Sequence, residues 1–526
     1  MFCVLIGLLL VTLLWFNYNI YNYWTKKGVN QKKKFILNDI MKIIFMKKSM
    51  AEHLLDSYNE FPNSRYNGTY QFFKPMLLVR NIDLIKQITV KDFDHFTDHF
   101  SFISEDVEPL WTSNLFALKG DKWRDMRATL SPAFTGSKMR AMFTLMSECA
   151  QEVAKYFENH PKERKSIELK DLFTRYTNDV IATCAFGVQC NSIKEKKNEF
   201  YLMGKLLTDF TGFWRNIQFL ISMAMPKLSK VLGITFIDKR VHKFFRRIIK
   251  DTIKMRQDHN IVRPDMIHLL MEARKGRLNY EETSAVQETG FATVEESEIG
   301  KKTKKVKDPI TDDTITAQAL IFFFAGFESV ATFMVLMGYE LAVNPDIQER
   351  LQSEIDAVIE DNDGNITYDV INKMKYLDMV SSETLRKWPA AVATDRVCVK
   401  PYTIAPVLPD ENPVTLNVGD IISLPAFGIH RDPKFYPNPE KFDPERFNDE
   451  NKVNINSHMY MPFGSGPRNC IGSRFALLEA KVVFLYLLAK FNIVVTEKSE
   501  VPLKLSKKGF NFTAKNGFWF GLELRK

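Results

Sequence analysis

Cys470 lies in the stretch Phe463-Gly464-Ser465-Gly466-Pro467-Arg468-Asn469-Cys470-Ile471-Gly472. A cysteine that reaches the thiolate state is a nucleophile and a soft metal ligand. Gly464, Gly466 and Pro467 make a tight, irregular loop that feeds a helical segment from Ser473. Cys470 therefore sits at or near a helix N-terminus, where free backbone N–H groups favour a thiolate. The flanking glycines let a large flat cofactor approach the backbone. Arg468 stands where it could hold an anionic group beside the sulfur. Two plainer readings compete with this one. The first is a structural cysteine buried in a glycine-rich turn. The second is a dinucleotide loop, which would need glycine where Asn469 stands and a clear preceding strand.

Other residue pairs carry chemistry by their spacing. Trp123 and Arg127 lie four apart, so both face one side of a helix. Glu383 and Arg386 lie three apart, which permits an ion pair on one helix. Ala325 and Gly326 are small residues inside the bulky run Ile321, Phe322, Phe323, Phe324 and Phe327. Small residues there open room for a diatomic ligand, and glycine permits a local kink. Glu328 is an acid in an apolar helix with the Ser329 hydroxyl beside it, a pair suited to proton transfer. The plainer alternative has Glu328 exposed and Ser329 bonded back to its own helix.

These residues together resemble cytochrome P450. Phe463, Gly466, Arg468, Cys470 and Gly472 reproduce the family's FxxGxRxCxG signature, and Trp123 with Arg127 its WxxxR motif. Ala325-Gly326-Phe327-Glu328-Ser329 resembles the oxygen-binding motif, Glu383 with Arg386 matches ExxR, and Pro444-Glu445-Arg446-Phe447 matches PERF. Five motifs in the family's order span nearly the whole chain, in the style of insect microsomal members. Two features depart from the pattern. Ser329 stands where the family usually has threonine, and no proline precedes Pro62 where many members carry a proline-rich hinge.

The resemblance implies a mainly α P450 fold with small β-sheets behind an N-terminal membrane anchor. It implies haem b (iron protoporphyrin IX) as cofactor, with Cys470 as the iron ligand and Trp123, Arg127, Arg396, Phe463 and Arg468 around the haem. Arg127, Arg396 and Arg468 match propionate-binding positions. Glu328 and Ser329 would be the catalytic pair that delivers protons to the dioxygen pocket. Glu383, Arg386 and Arg446 would hold the fold around the haem. The reaction would insert one atom of dioxygen into a lipophilic small molecule, with pocket walls at residues 100–118, 390–394 and 510–512. The sequence holds no flavin or NADPH motif, so electrons would come from NADPH through a separate NADPH-cytochrome P450 reductase, and cytochrome b5 is compatible as a second donor. Basic residues such as Lys122 and Arg124 suit an acidic partner. A same-fold isomerase would need neither the Glu328–Ser329 relay nor a reductase. A haem sensor would keep Cys470 and turn nothing over.

The elements that must position these residues are legible in outline. From about residue 51 to 274 the apolar period is helical, with a β-like stretch near residues 76–79. Residues 275–307 are rich in Glu, Lys and Thr and predict an exposed linker. An apolar helix is predicted over residues 314–343, stopped by Asn344 and Pro345. Short strands and loops follow Pro389. A last helix is predicted over residues 473–490, with strand-like pieces at 510–512 and 518–522.

The first 25 residues carry no charge, and Trp15, Tyr18, Tyr21, Tyr23 and Trp24 form an aromatic belt ahead of Lys26, Lys27, Lys32, Lys33 and Lys34. About 20 such residues span a bilayer as a helix. The lysines then stay cytosolic, and the resemblance to microsomal members implies the endoplasmic reticulum membrane, with the catalytic domain on its cytosolic face. A cleaved signal peptide would need a basic start and small residues at its cleavage site, and neither is present. The expected layout is an anchor over residues 1–25, a basic linker or membrane-seating segment over 26–50, and the haem-binding catalytic domain over 51–526.

The composition agrees with an enzyme of this size. The 526 residues are 45% hydrophobic, enough for a large core, and the net charge of +9 suits an anionic membrane surface or an acidic partner. Lys and Arg are dispersed outside two short runs, at residues 26–34 and 301–307, which argues against nucleic-acid binding. The six cysteines lack metal-finger spacing and fit a reduced compartment.

Overall fold

Thr311 opens the helix around which the protein is built. Its hydroxyl accepts the Thr314 N–H at 3.1 Å while Thr314 Oγ1 accepts the Thr311 N–H at 3.3 Å, a reciprocal N-terminal cap. From there the chain runs helically from Asp312 to Val343 and stops at Asn344, before Pro345 starts the next helix. The helix is long and apolar enough to cross a membrane, but most of it is buried inside the protein. A helix apolar on every side is what a core element requires.

The structure is a computed structural model. It describes residues 18, 22–31, 48–71, 74–101, 103, 107–209, 217–218, 221–222, 225–235, 237–263, 265–276, 290–294, 309–409, 411–507 and 512–525. Its longer helices are α1 (Met50–Asn59), α2 (Gly120–Leu130), α3 (Gly136–Asn159), α4 (Leu169–Ile181), α5 (Glu199–Thr208), α6 (Lys239–Asp258) and α7 (Met266–Arg274). The central helix is α8 (Asp312–Ala325) and α9 (Ala331–Val343), joined by a π-helical turn over Gly326–Val330. α10 (Pro345–Asp361), α11 (Lys375–Lys387) and α12 (Ser473–Leu488) complete the set.

The sheets are small. β1 (Tyr66–Gln71), β2 (Lys74–Val79), β7 (Ile421–Leu424) and β4 (Thr394–Val397) form one in that order, with β2 and β7 parallel and the other pairs antiparallel. β3 (Ile167–Glu168), β9 (Trp519–Leu524) and β8 (Phe491–Val494) form a second, and β5 (Tyr402–Ile404) with β6 (Val414–Leu416) a third. The mainly α fold with small sheets is as expected. Residues 508–511 lie outside the described residues, so the strand piece expected at 510–512 is described only at its last residue, Phe512, which is buried and outside any strand.

Two apolar clusters meet at the central helix. The larger joins α3, α4, α9, α11, α12 and the sheets. The smaller gathers the α8 phenylalanines with α5, α6 and α7. Phe322 and Ile471, next to Cys470, pack on both clusters. The core is therefore divided where the cysteine loop faces the central helix.

Two expectations from the sequence change. Tyr23 and Trp24 do not belong to a membrane belt. Trp24 is fully buried and its indole N–H donates to the Thr69 carbonyl at 3.2 Å. It lies over Gly68, where a Cβ would fall 2.4 Å from the ring. Tyr23 donates to Asp420, and Lys27 pairs with the same carboxylate at 2.9 Å. The folded domain thus takes in the chain from Asn22 to Gln31, earlier than the expected boundary at 51. Residues 1–17, 19–21 and 32–47, including Ile36–Ile44, lie outside the described residues. The expected linker over 275–307 is also not wholly exposed, for residues 290–294 pack on the protein with Ala292 buried.

Candidate active site

The cysteine loop is held by its own backbone. Gly464 N–H donates to the Met461 carbonyl at 3.1 Å, Asn469 N–H to Gly466 at 2.9 Å and Cys470 N–H to Phe463 at 2.9 Å. Gly464 and Gly466 have φ of +80° and +71°, in the left-handed region that favours glycine. At Gly466 a Cβ would also lie 1.9 Å from the Thr89 carbonyl oxygen, so this glycine is required by close packing of two backbones. Gly472 caps α12, which puts Cys470 two residues before the cap. Phe463 is half-buried against the larger cluster.

Cys470 lies deep among protein atoms yet keeps accessible surface, as a side chain opening into an internal space does. Burial pushes its thiol up, while the Gly472 N–H and the charge of Arg127 act in the opposite sense. A bound metal cation would deprotonate such a thiol outright.

Three buried guanidinium groups surround the loop. Arg127, on α2, donates to the Asn469 carbonyl and to Asn469 Oδ1, both at 2.8 Å. Arg468 lies 4.0 Å over the Trp123 ring. It donates to the carbonyls of Thr97 at 2.6 Å and Leu118 at 2.7 Å, with Asp98 at 3.7 Å. Arg396, on β4, donates to the carbonyls of Asp395 at 2.6 Å and Ser465 at 2.7 Å. Its Nε finds no acceptor among the described residues. Burial pushes Arg396 down to about 10 and, with the neighbouring charge of Arg396, Arg468 down to about 9. A site that buries so much positive charge and leaves Arg396 Nε without an acceptor fits an anionic group. A haem, with two propionates and an iron for Cys470, meets each of these demands.

The sequence reading missed the second layer of this site. His99 stacks on Phe116 at 4.6 Å and its Nδ1 lies 3.3 Å from Asp395 Oδ1. Asp395 also accepts the Phe100 N–H at 2.5 Å. Nothing in local spacing pairs residues 99 and 395.

On the central helix, Ala325 and Ser329 keep exposed surface although the helix around them is largely buried, and they lie four apart on one face. The expected kink is the π-helical turn at Gly326–Val330, a feature frequent at functional sites. The Thr177 hydroxyl of α4 donates to the Phe327 carbonyl of this turn at 3.0 Å. Gly326 does not open room for a ligand. A Cβ there would lie 2.0 Å from Ile181 Cδ1, so the glycine admits α4.

The expected pairing of Glu328 with Ser329 is corrected. Glu328 turns to α4, where Lys170 Nζ meets it at 2.8 Å and also donates to Thr332 Oγ1 at 2.8 Å. The Ser329 hydroxyl donates back to the Ala325 carbonyl at 2.5 Å. Adjacent residues on a helix point in different directions, so the two groups do not meet.

The expected cluster of Glu383, Arg386 and Arg446 is assembled. Arg386 grips Glu383 through two bonds of 2.7 and 2.8 Å, both side chains fully buried, and Arg446 Nε lies 3.5 Å from Glu383 Oε1. Arg386 further donates to the carbonyls of His430 at 2.8 Å and Pro439 at 2.7 Å.

Comparison with known proteins agrees with this geometry. The family described as Cytochrome P450 matches residues 40–519. The chain is 46% identical to cytochrome P450 9e2 of Blattella germanica over 521 residues, covering 96% of this chain and 94% of that one. It is 44% identical to probable cytochrome P450 9f2 of Drosophila melanogaster over 517 residues, covering 96% and 95%. With cytochrome P450 6k1 of Blattella germanica it shares 36% identity over 493 residues, covering 93% and 90%.

Proposed function

Because the chain belongs to the cytochrome P450 family, and is thus a haem-thiolate monooxygenase, we propose that it oxygenates a lipophilic small molecule with electrons from NADPH passed on by a separate reductase. When bound, the haem supplies reductive activation of dioxygen, favoured by electron donation from the thiolate. The observation that carries the assignment of residues is the ring of buried guanidinium groups, Arg127, Arg396 and Arg468, around the Cys470 loop.

In this reading Cys470 would hold the haem iron through its sulfur. Arg396 and Arg468 hold the propionates, and Arg127 both steadies Asn469 and adds positive charge. Trp123 fixes the Arg468 plane through its ring face. Phe463 sets the Cys470 N–H through its carbonyl. Ala325 keeps open surface on the central helix. Ser329, four residues on along the same face, supplies the hydroxyl that passes protons on. Glu328, held by Lys170, sets the field of the π-helical turn and reaches the proton path only when that ion pair opens.

The electron donor is NADPH-cytochrome P450 reductase, with cytochrome b5 as an auxiliary donor. Lys122 is exposed on α2, and half-exposed Arg124 pairs with Asp94 at 2.7 Å and Asp121 at 3.2 Å; these two cations are the ones offered to an acidic partner. Residues ahead of Tyr23 anchor the protein in the endoplasmic reticulum membrane, with the catalytic domain in the cytosol. The docking of Tyr23, Trp24 and Lys27 on the first sheet ties such an anchor closely to the domain.

Co-expression with an NADPH-cytochrome P450 reductase and product analysis on a panel of lipophilic substrates tests this reading. NADPH-dependent formation of singly oxygenated products is expected. Haem-loaded protein that consumes no NADPH with any substrate in the reductase-coupled assay would contradict it.

A further inference from the structure

The cysteine loop hangs from Met461, whose carbonyl accepts the Gly464 N–H. The Met461 N–H in turn donates to His430 Nε2 at 3.1 Å. The other ring nitrogen of His430, Nδ1, lies 3.1 Å from the Arg386 carbonyl and donates to it, which fixes the tautomer. His430 is fully buried, and burial together with the Arg386 charge pushes it down to about 3, so the ring is a neutral strut. It therefore joins the buried Glu383–Arg386 pair to the start of the cysteine loop.

His430 does not stand alone. Its ring stacks on Tyr460 at 5.5 Å, and the Tyr460 hydroxyl donates to the Ser382 carbonyl at 2.9 Å. Phe291 also packs on Tyr460, at 5.4 Å, and lies 5.4 Å from Phe447. Phe291 belongs to the 290–294 segment, far from all of these residues in sequence. The segment is fastened by the Phe291 N–H, which donates to Asp378 Oδ2 at 2.9 Å, while Asp378 Oδ1 pairs with the buried Lys481 at 2.8 Å. At Gly290 a Cβ would fall 2.0 Å from Asp378 Oδ1, so the backbone approaches as closely as glycine allows.

We propose that His430 and Phe291 are positioning residues for Cys470, Phe291 bracing Tyr460 and His430 holding Met461. The proposal rests on the reading of Cys470 as the iron ligand. Both act through the loop that carries Cys470. Their effect reaches it through Met461 and the loop hydrogen bond from the Cys470 N–H to the Phe463 carbonyl. The sequence shows none of this, because residues 291, 430 and 460 meet only in the fold.

The test follows the red-shifted Soret band of the reduced, CO-bound holoprotein at a fixed elevated temperature, with far-UV circular dichroism recorded alongside. Phe291→Ala removes two ring contacts and is expected to lose the band about tenfold faster than the parent. Helix content should stay unchanged while the band decays. Phe291→Tyr keeps the ring and should decay at the parent rate. His430→Phe keeps the stack on Tyr460 but strands the Met461 N–H, and should lose the band faster still. Parent-like decay of Phe291→Ala or of a folded His430→Phe would overturn the proposal, and so would helix loss in step with band loss in Phe291→Ala. A parent protein that never shows the band would instead overturn the assignment of Cys470 itself.

Discussion

Gly466 and Gly464 differ in why they are glycines, and this gives a quantitative contrast. Both have positive φ, so alanine at either costs about 1–2 kcal/mol of left-handed strain. At Gly464 the new methyl group would have the Asn469 Cα at 3.7 Å, an ordinary contact, and the cost ends there. At Gly466 it would fall 1.9 Å from the Thr89 carbonyl oxygen and 2.8 Å from its carbon. Both are backbone atoms in a segment that Thr89 pins through its hydroxyl to Ile85 at 2.8 Å and to Ser465 at 3.1 Å. The cysteine loop must then retreat by about 1 Å, adding overpacking of about 1–3 kcal/mol. A displacement of that size is enough to spoil a reacting geometry. The assay is the red-shifted CO band per mole of total haem in purified protein. Gly464→Ala should keep most of it, and Gly466→Ala should lose most of it. Equal losses in the two variants would refute the argument that Thr89 sets the loop.

Two further predictions concern proton handling and pH. Ser329 keeps a hydroxyl without the methyl group that stiffens threonine. Ser329→Thr should therefore raise product formed per NADPH consumed and Ser329→Ala lower it, whereas an organic peroxide should support all three forms with much smaller differences. Parent-like coupling in Ser329→Ala under reductase conditions would exclude this hydroxyl. Glu479, on α12, is fully buried and neither carboxyl oxygen has a hydrogen-bond partner among the described residues. Burial holds its carboxyl well above the usual range, so the folded chain keeps a proton that the unfolded chain releases. Parent stability should fall as pH rises above the ordinary glutamate value toward the raised folded one, and Glu479→Gln should remove that slope. Thermal midpoints of the two proteins should therefore diverge in favour of the Glu479→Gln variant as pH rises from 5 to 7. A difference independent of pH would contradict it.

Much of the site was legible in the sequence because its chemistry is local. The Cys470 loop, the Trp123–Arg127 pair and the Glu383–Arg386 pair are set by spacings of three and four on helices or by glycines inside one turn. The central helix was legible from its uniform apolarity, and its end from Asn344 and Pro345. What escaped depends on partners far along the chain. Gly326 was read as room for a ligand, but its neighbour is Ile181. Glu328 was read as a partner of Ser329, but Lys170 of α4 claims it. Trp24 was read as a membrane-belt residue because an uncharged flank looks alike in lipid and in a core, and the difference lies in distant partners, Gly68 and Thr69. The polar segment around Phe291 carries no apolar period, so its anchoring on Tyr460 had no local signal.

The central claim is that Cys470 supplies the thiolate to the haem iron. The reduced, CO-bound spectrum of the parent and of Cys470→Ala tests it most directly. The parent should show the red-shifted Soret band of thiolate ligation, and Cys470→Ala should lack it. A red-shifted band retained in Cys470→Ala would contradict the account.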